Sequence, residues 1–323
     1  MSLNLHVGQA GFQAFIAKEA GTCVEKGPGW ALCEGRAEDL AFSHLVLHDP
    51  VELKAEPGRG LGGSLAELFR KLSRGVRYDG LWPLAFESAA EEGLSKRAKS
   101  LEAAFRGEAS QLARIMRLAR SGRPGPGPCS GFFVFLAGFD RAFACGQAWC
   151  GGQRRMADDP HAPSRSYLKV EEAYAVLGEA PAPGQTVADL GAAPGGWSYS
   201  AARRGAAVTA VDNGPLKDGA SGNPLITHLR EDAFKFAPES QVDWLFCDLL
   251  EDPARTLGLL ERWAGSGWCG RFVANLKFGR NDPLPLLRKV LARDGVLAGR
   301  CALLRARHLY HDREEFTVVG RLA

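Results

Sequence analysis

The hydrophobic pattern divides the chain into stretches of different character. Over the first ~50 residues, short apolar runs of strand length surround one helical pattern at 9–20, an α+β arrangement. From 64 to 121 the spacing is mostly helical, with Leu94, Ala98, Leu101, Phe105, Leu112, Ile115 and Ala119 on one stripe and Gly107 as its weak point. Residues 132–136 and 141–147 then read as a strand pair. From Pro163 onward strand and helix patterns alternate, which predicts an α/β domain around a largely parallel sheet. Its expected strands are Thr186–Leu190, 207–212, 225–230, 242–248 and 272–277; its expected helices are Tyr167–Leu177, one from Gly196, and 283–293. Residues 302–309 and Glu315–Leu322 close the chain as an antiparallel hairpin turning at His311 and Asp312.

Glycine and proline place the boundaries. The run 56–63 separates a small α+β unit at 1–55 from a second at 64–150, and the run 121–128 must be turn or extended chain. The polar stretch 151–165 reads as a linker into the α/β domain at 166–323. No internal repeat is present.

Composition narrows the class. A chain of 323 residues, 46% hydrophobic and 24% charged, is an ordinary globular protein of two or three domains, which excludes wholesale disorder, a collagen-like repeat and a disulfide miniprotein. The longest apolar run, 132–137, is far short of the ~20 residues of a spanning helix. The opening MSLNLHVGQAGF has no secretory pattern, so a cytoplasmic location without membrane partners is expected. The net charge of +3 identifies no partner, but its distribution is uneven. Between Leu94 and Pro124 stand Lys96, Arg97, Lys99, Arg106, Arg114, Arg117, Arg120 and Arg123 against Glu102 and Glu108. Such a block suits a phosphate backbone, and a solvated helix face would have the same look. The eight cysteines contain no C-x-x-C pair and read as reduced, mostly buried thiols, with no metal site expected.

The strongest chemical signal is Asp189-Leu190-Gly191-Ala192-Ala193-Pro194-Gly195-Gly196-Trp197, a buried strand ending in an acid, a glycine turn and an opening helix. Glycines there allow close backbone approach, and helix amides would receive a carboxylate, at the crevice where doubly wound sheets bind cofactors. A dinucleotide turn needs G-x-G-x-x-G; here the middle glycine is Ala193, and Pro194 removes an amide. Asp212 ends the second strand, placed for two ribose hydroxyls. Strand ends at an open parallel sheet face one crevice, so Asp189, Asp212, Asp248 and Lys277 converge. If the last strand runs antiparallel, Glu315 begins at that edge too.

These segments, HAPSRSYLKVEEAY, DLGAAPGGWSY, VDNGPL, REDAFKF, FCDLLEDP, NLK and ARHLYHDREEFTV, in that order, resemble the RlmM family, bacterial 23S rRNA ribose 2′-O-methyltransferases of FtsJ/RrmJ-like chemistry. The likeness is dense from His161 to Val319 and faint before it, where that family carries ferredoxin-like and THUMP RNA-binding parts. It implies a Rossmann-like domain that uses S-adenosyl-L-methionine, with 23S rRNA or its precursor as partner and a cytidine ribose as target. The family's Lys-Asp-Lys-Glu tetrad falls on Lys169, Asp248, Lys277 and Glu315, with Glu314 as rival for the last place and Lys277 as proton acceptor. The cofactor residues it implies are Ser166 near the methionine, the turn of Gly191, Ala193, Pro194, Gly195, Gly196 and Trp197, Asp212 at the ribose, Asp232 at the adenine, and Asp248. Ala193 departs from the family's usual Cys, at a contact made by backbone. Trp197, like Trp244, Trp263 and Trp268, has a spacing that also suits packing.

The implied chemistry needs these residue types. A ribose hydroxyl is a weak nucleophile at neutral pH; alignment supplies up to ~7–11 kcal/mol, and proton removal about 10²–10⁴-fold. A neighbouring lysine would lower the pKa of the acceptor amine, whereas carboxylates set too close would raise it. His308 and His311, near the hairpin turn, are expected as solvated or capping residues. Two other readings stay open: an RNA-binding protein with a silent methyltransferase fold, and a methyltransferase with a different acceptor.

Overall fold

A computed structural model describes residues 2–55, 60–76, 80–109 and 113–323. Glu56, Pro57, Gly58 and Arg59 of the first glycine-proline run, Leu112 of the apolar stripe and the side chain of Arg114 lie outside the described residues. The chain forms two compact units, Met1–Gly152 and Gln153–Ala323.

In the first unit the order is β1 (Leu3–Val7), α1 (Gln13–Ala20), β2 (Gly21–Gly27), β3 (Trp30–Gly35), β4 (Leu45–His48), β5 (Val51–Lys54), α2 (Leu61–Ser73), β6 (Trp82–Ser88), α3 (Leu94–Glu108), α4 (Ala113–Leu118), β7 (Ala119–Ser121), β8 (Gly127–Gly138) and β9 (Arg141–Cys150). One sheet, ordered β2-β3-β1-β4-β9-β8-β6-β7 with β5 also on β9, runs through all of it. The two small units expected at 1–55 and 64–150 therefore share strands: β4 pairs with β9 at Leu45↔Cys150, and β5 joins the same strand at Val51↔Ala144. They also share one apolar core, from Leu5 and Trp30 to Phe105 and Phe132. The helical reading of 64–121 missed β6. Pro83 argues locally against a strand, but parallel pairing with β8 (Leu84↔Phe132) and burial of Leu84 override it.

The basic block is smaller than its count. Arg123 is neutralised by a two-pronged pair with Glu87, outside the window counted, and Arg106 pairs with Glu102 at 3.1 Å. Lys96, Lys99, Arg117 and Arg120 remain exposed.

The second unit contains α5 (Tyr167–Leu177), β10 (Thr186–Leu190), α6 (Gly196–Ala202), β11 (Ala207–Val211), β12 (Ile226–Leu229), β13 (Val242–Cys247), α7 (Pro253–Gly265), β14 (Cys269–Lys277), α8 (Leu284–Val290), α9 (Val296–Arg300), β15 (Cys301–Arg307) and β16 (Glu315–Leu322). It is a Rossmann-like α/β fold. Strands β12-β11-β10-β13-β14 are parallel, and β16 and then β15 add antiparallel strands at one edge. Trp244, Phe246 and Val273 of the sheet pack with Val170, Tyr174 and Trp197 of α5 and α6, which fixes both helices over the sheet. Helix α7 was not among the expected elements, although Asp252 caps it by accepting from Ala254 N (2.9 Å) and Arg255 N (3.2 Å), with Pro253 at its first turn.

The stretch expected as a linker, 151–165, belongs from Gln153 onward to this unit. Arg154 N donates to Glu172 (3.0 Å), the Tyr167 hydroxyl to Ala157 O (2.9 Å), and the Tyr199 hydroxyl to Asp159 (2.9 Å). These bonds, two of them through the segment's backbone, join residues 10 to 40 positions apart, which periodicity does not reveal. Among the described residues no helix is long and apolar enough to cross a membrane, and all eight cysteines are free thiols.

Candidate active site

Because β13 and β14 are parallel while β16 returns antiparallel, the ends of the first two and the start of the third share one edge. Lys277 closes β14 directly opposite Glu315, the first residue of β16, and Asp248 follows the last residue of β13. Lys169 reaches the same point from the first turn of α5. Its Nζ donates to Glu315 Oε1 at 2.5 Å and lies 3.9 Å from Asp248; Lys277 Nζ donates to Asp248 Oδ1 at 2.5 Å and lies 3.9 Å from Glu315. Each ammonium thus faces both carboxylates, and the cluster carries no net charge. Such reciprocity is what allows four charged groups to be this far out of water, since a lone buried charge would cost several kcal/mol.

Register places Glu315, and not Glu314, opposite Lys277. Glu315 is buried with Lys169, whereas Glu314 is exposed and uses its backbone carbonyl to accept from Phe278 N and Gly279 N, both at 3.0 Å. At Lys169, the neighbour of the expected proton acceptor, basicity is raised. Burial pulls it down, but Asp248 and Glu315 outweigh that and hold it above its ordinary value. This is the outcome expected for carboxylates set close to an ammonium.

Beside the tetrad lies the glycine turn. Gly191 and Gly195 have φ of +79° and +109°, conformations that side chains avoid, and a Cβ on Gly191 would come within 2.9 Å of Leu249. The amides of the turn ahead of the helix are spent inside the protein: Gly191 and Ala192 donate to Val211 O, Ala193 to Asp212 Oδ2 and Gly195 to Ala192 O. Pro194 has none to give. Helix α6 is also short, at seven residues. The turn therefore offers shape and close backbone approach.

Asp212 is held by the amides of Ala193 (3.0 Å) and Gly214 (2.7 Å), one on each oxygen. Asp189 is buried; its Oδ2 accepts from the Ser198 hydroxyl at 2.6 Å, and its Oδ1 has no partner. Burial pushes its carboxyl up to about 7 against the pull of Ser198, with Asp248 and Asp212 adding to the rise. Trp197 turns into the core against Phe246, and its indole N–H donates to Ser166 O at 2.9 Å, so it positions Ser166 from behind. The Ser166 hydroxyl meets Ser164 at 2.6 Å. Asp232 stands apart, exposed, its carboxylate accepting from its own neighbour Phe234 N at 2.9 Å.

A cavity of about 700 Å³ opens over the tetrad, lined by Arg165, Ser166, Lys169, Lys277, His311 and Glu315, with Leu250 exposed at its rim. One of the two histidines departs from the solvated or capping residues expected. His308 is wholly buried, its ring nitrogen meeting Arg313 O at 2.9 Å, and burial draws it down to about 4. His311 accepts from Met156 N at 3.0 Å.

Residues 162–257 match the family of FtsJ-like methyltransferases. The ribosomal RNA large subunit methyltransferase M of Laribacter hongkongensis is 34% identical over 91% of this chain and 86% of its own length. The chain belongs to the ribosomal RNA large subunit methyltransferase M family. The member from Stenotrophomonas maltophilia is 31% identical over 96% of this chain and 86% of its own. The one from Azotobacter vinelandii is 42% identical over 63% of this chain and 57% of its own, so that alignment spans little more than half of that relative.

Methyltransferases of this family use S-adenosylmethionine. The residues present fit it. That donor carries a sulfonium and an ammonium, and Asp212 and Asp248 bring negative charge to this strand edge, where they add to the larger effect of burial in raising Asp189. The unpartnered Asp189 Oδ1 fits the same charge.

The sequence reading gave no role to several residues that shape the site. Asn275 donates to Asp248 Oδ1 at 3.2 Å and accepts from Thr317 at 2.7 Å; Thr317 meets Asp312 at 3.0 Å, and Asp312 accepts from Leu309 N at 2.9 Å. Glu172, one helical turn beyond Lys169, accepts from Arg154, Tyr310 and His311 amides and so ties the hairpin turn to α5. Asn275 and Glu172 stand inside the NLK and YLKVEEAY motifs, so proximity to motif lysines was the available signal.

Proposed function

We propose that this protein methylates the 2′-hydroxyl of a ribose in large-subunit ribosomal RNA, with a cytidine of 23S rRNA or its precursor as acceptor. What carries this reading is the ring of Lys169, Asp248, Lys277 and Glu315, in which each lysine faces both carboxylates. When bound, S-adenosylmethionine supplies an activated methyl group. Asp212 would hold its ribose, Ser166 its methionine end and Asp232, as the family resemblance implies, its adenine. The Gly191–Gly196 turn admits it by close backbone approach.

Lys169, held as an ammonium by Asp248 and Glu315, orients the acceptor oxygen. Lys277 first gives up one proton to solvent and then, as the neutral amine, takes the hydroxyl proton at its Nζ, a role worth about 10²–10⁴-fold. Arg165 and Arg313 on the cavity wall face the acceptor's phosphates, and Leu250 offers its base an apolar surface. The first unit, read as ferredoxin-like and THUMP-like, binds RNA through Lys96, Lys99, Arg117 and Arg120, all exposed.

The test is transfer of labelled methyl groups to an unmodified 23S rRNA transcript, with the product mapped by resistance to alkaline cleavage. A single protected ribose is expected. Absence of transfer, or methyl groups on bases alone, would overturn the reading.

A further inference from the structure

Resting on that reading, we infer that Asp312, Thr317 and Asn275 are positioning residues for methyl transfer, acting on the tetrad through Asp248 as one ordered row of hydrogen bonds. All three are buried: Asn275 1%, Thr317 0% and Asp312 4% exposed. None touches the reacting atoms. Their order follows from donor and acceptor arithmetic.

Asp248, paired with Lys277 at 2.5 Å, is an acceptor. The Asn275 group facing it at 3.2 Å must therefore be the amide N–H₂, which turns the amide oxygen toward Thr317. That oxygen receives the Thr317 hydroxyl at 2.7 Å. Thr317 has only one proton, so the carboxyl of Asp312, at 3.0 and 3.2 Å, must bring its own. Oδ2 accepts from Leu309 N, which leaves the proton to the Thr317 side.

The surroundings agree. Burial raises Asp312 well above the ordinary carboxylate range; Glu315 and Glu172 push the same way, and the Leu309 amide and Lys169 oppose them. The row crosses from the hairpin turn through β16 to β14 and ends on Asp248. It fixes the carboxylate that both lysines share. A hydroxyl in the middle and a proton at the far end are what it requires.

The experiment compares full-length wild type with Thr317→Val, Thr317→Ser, Asp312→Ala and Asp312→Asn. Single-turnover methyl transfer to 23S rRNA, donor binding by calorimetry, and reactivity of the Lys277 amine toward acetic anhydride are measured. Thr317→Val is expected to lower kcat about 10- to 100-fold with the donor Kd within about 3-fold, because geometry is lost and the donor site is not. Thr317→Ser restores most of that loss. Asp312→Asn, whose amide can still donate to Thr317, falls less than Asp312→Ala.

Lys277 labelling rises about 3-fold or more in Thr317→Val, since a loosened Asp248 releases the amine. Wild-type kcat with unchanged labelling in Thr317→Val overturns the inference, as does Asp312→Asn falling as far as Asp312→Ala. Should Thr317→Val not fold, the Asp312 pair decides. If wild type transfers no methyl group to ribosomal RNA, the functional reading fails, and the labelling of Lys277 still supports or sinks the row by itself.

Discussion

Asp189→Asn tests the electrostatics of the strand edge without touching the tetrad. In the wild type, moving the carboxyl from 3.8 to about 7 disfavours its ionised form by about 4 kcal/mol, at ~1.36 kcal/mol per pH unit. Between those pH values the folded protein holds a proton that the unfolded chain has released. Stability from this group is therefore complete below pH 3.8 and is lost as pH rises through about 7. Asparagine cannot ionise, so the stability of Asp189→Asn relative to wild type should climb by about 3 kcal/mol between roughly pH 4.5 and 6.5, then level off. The new amide adds a constant offset, so the slope is the quantity to read. Native-state hydrogen exchange of peptides covering β10 and β13, corrected for intrinsic rates, reports it locally within a chain of two units. Parallel stability curves for the two proteins would refute the account of Asp189 as a carboxyl strained by burial.

Three further outcomes follow from the site and its surroundings. Lys277→Ala should reduce methyl transfer by about 10²–10⁴-fold while calorimetry shows donor affinity within about 3-fold; near-normal turnover would remove Lys277 as proton acceptor. Glu315→Gln should impair transfer by at least about 10-fold and Glu314→Gln by less than about 2-fold, measured under single-turnover conditions, because only the first is buried against Lys169. Charge reversal of Lys96 and Lys99 should weaken rRNA binding and flatten its dependence on salt by about one counterion per lost phosphate contact, read from filter binding across salt concentrations. An unchanged slope would mean that this face does not meet RNA.

Much of the catalytic half is legible in the residues themselves. Buried strands such as Thr186–Leu190 and Val242–Cys247 declare themselves by continuous apolar runs bounded by turns, and the topology of an open parallel sheet brings their ends to one edge. Asp248, Lys277 and Glu315 were therefore nameable as convergent before any coordinate, whereas Lys169, on a helix, came from the family resemblance; register then placed Glu315 rather than Glu314 beside it. Three things lay beyond local pattern. The pairing of β4 and β5 with β9 joins residues about a hundred positions apart, so the single N-terminal sheet could not be read from separate runs. The docking of 153–165 depends on isolated hydrogen bonds to Glu172, His311 and Tyr199, which leave no periodic trace. The spacing of charges decided the remainder: the family resemblance named two lysines and two carboxylates, but only the folded chain set the distances that hold Lys169 above its ordinary value. Covalent order determines which groups are available and which strand carries each; electrostatic consequence varies with distance and burial, and those exist only once the sheet has closed.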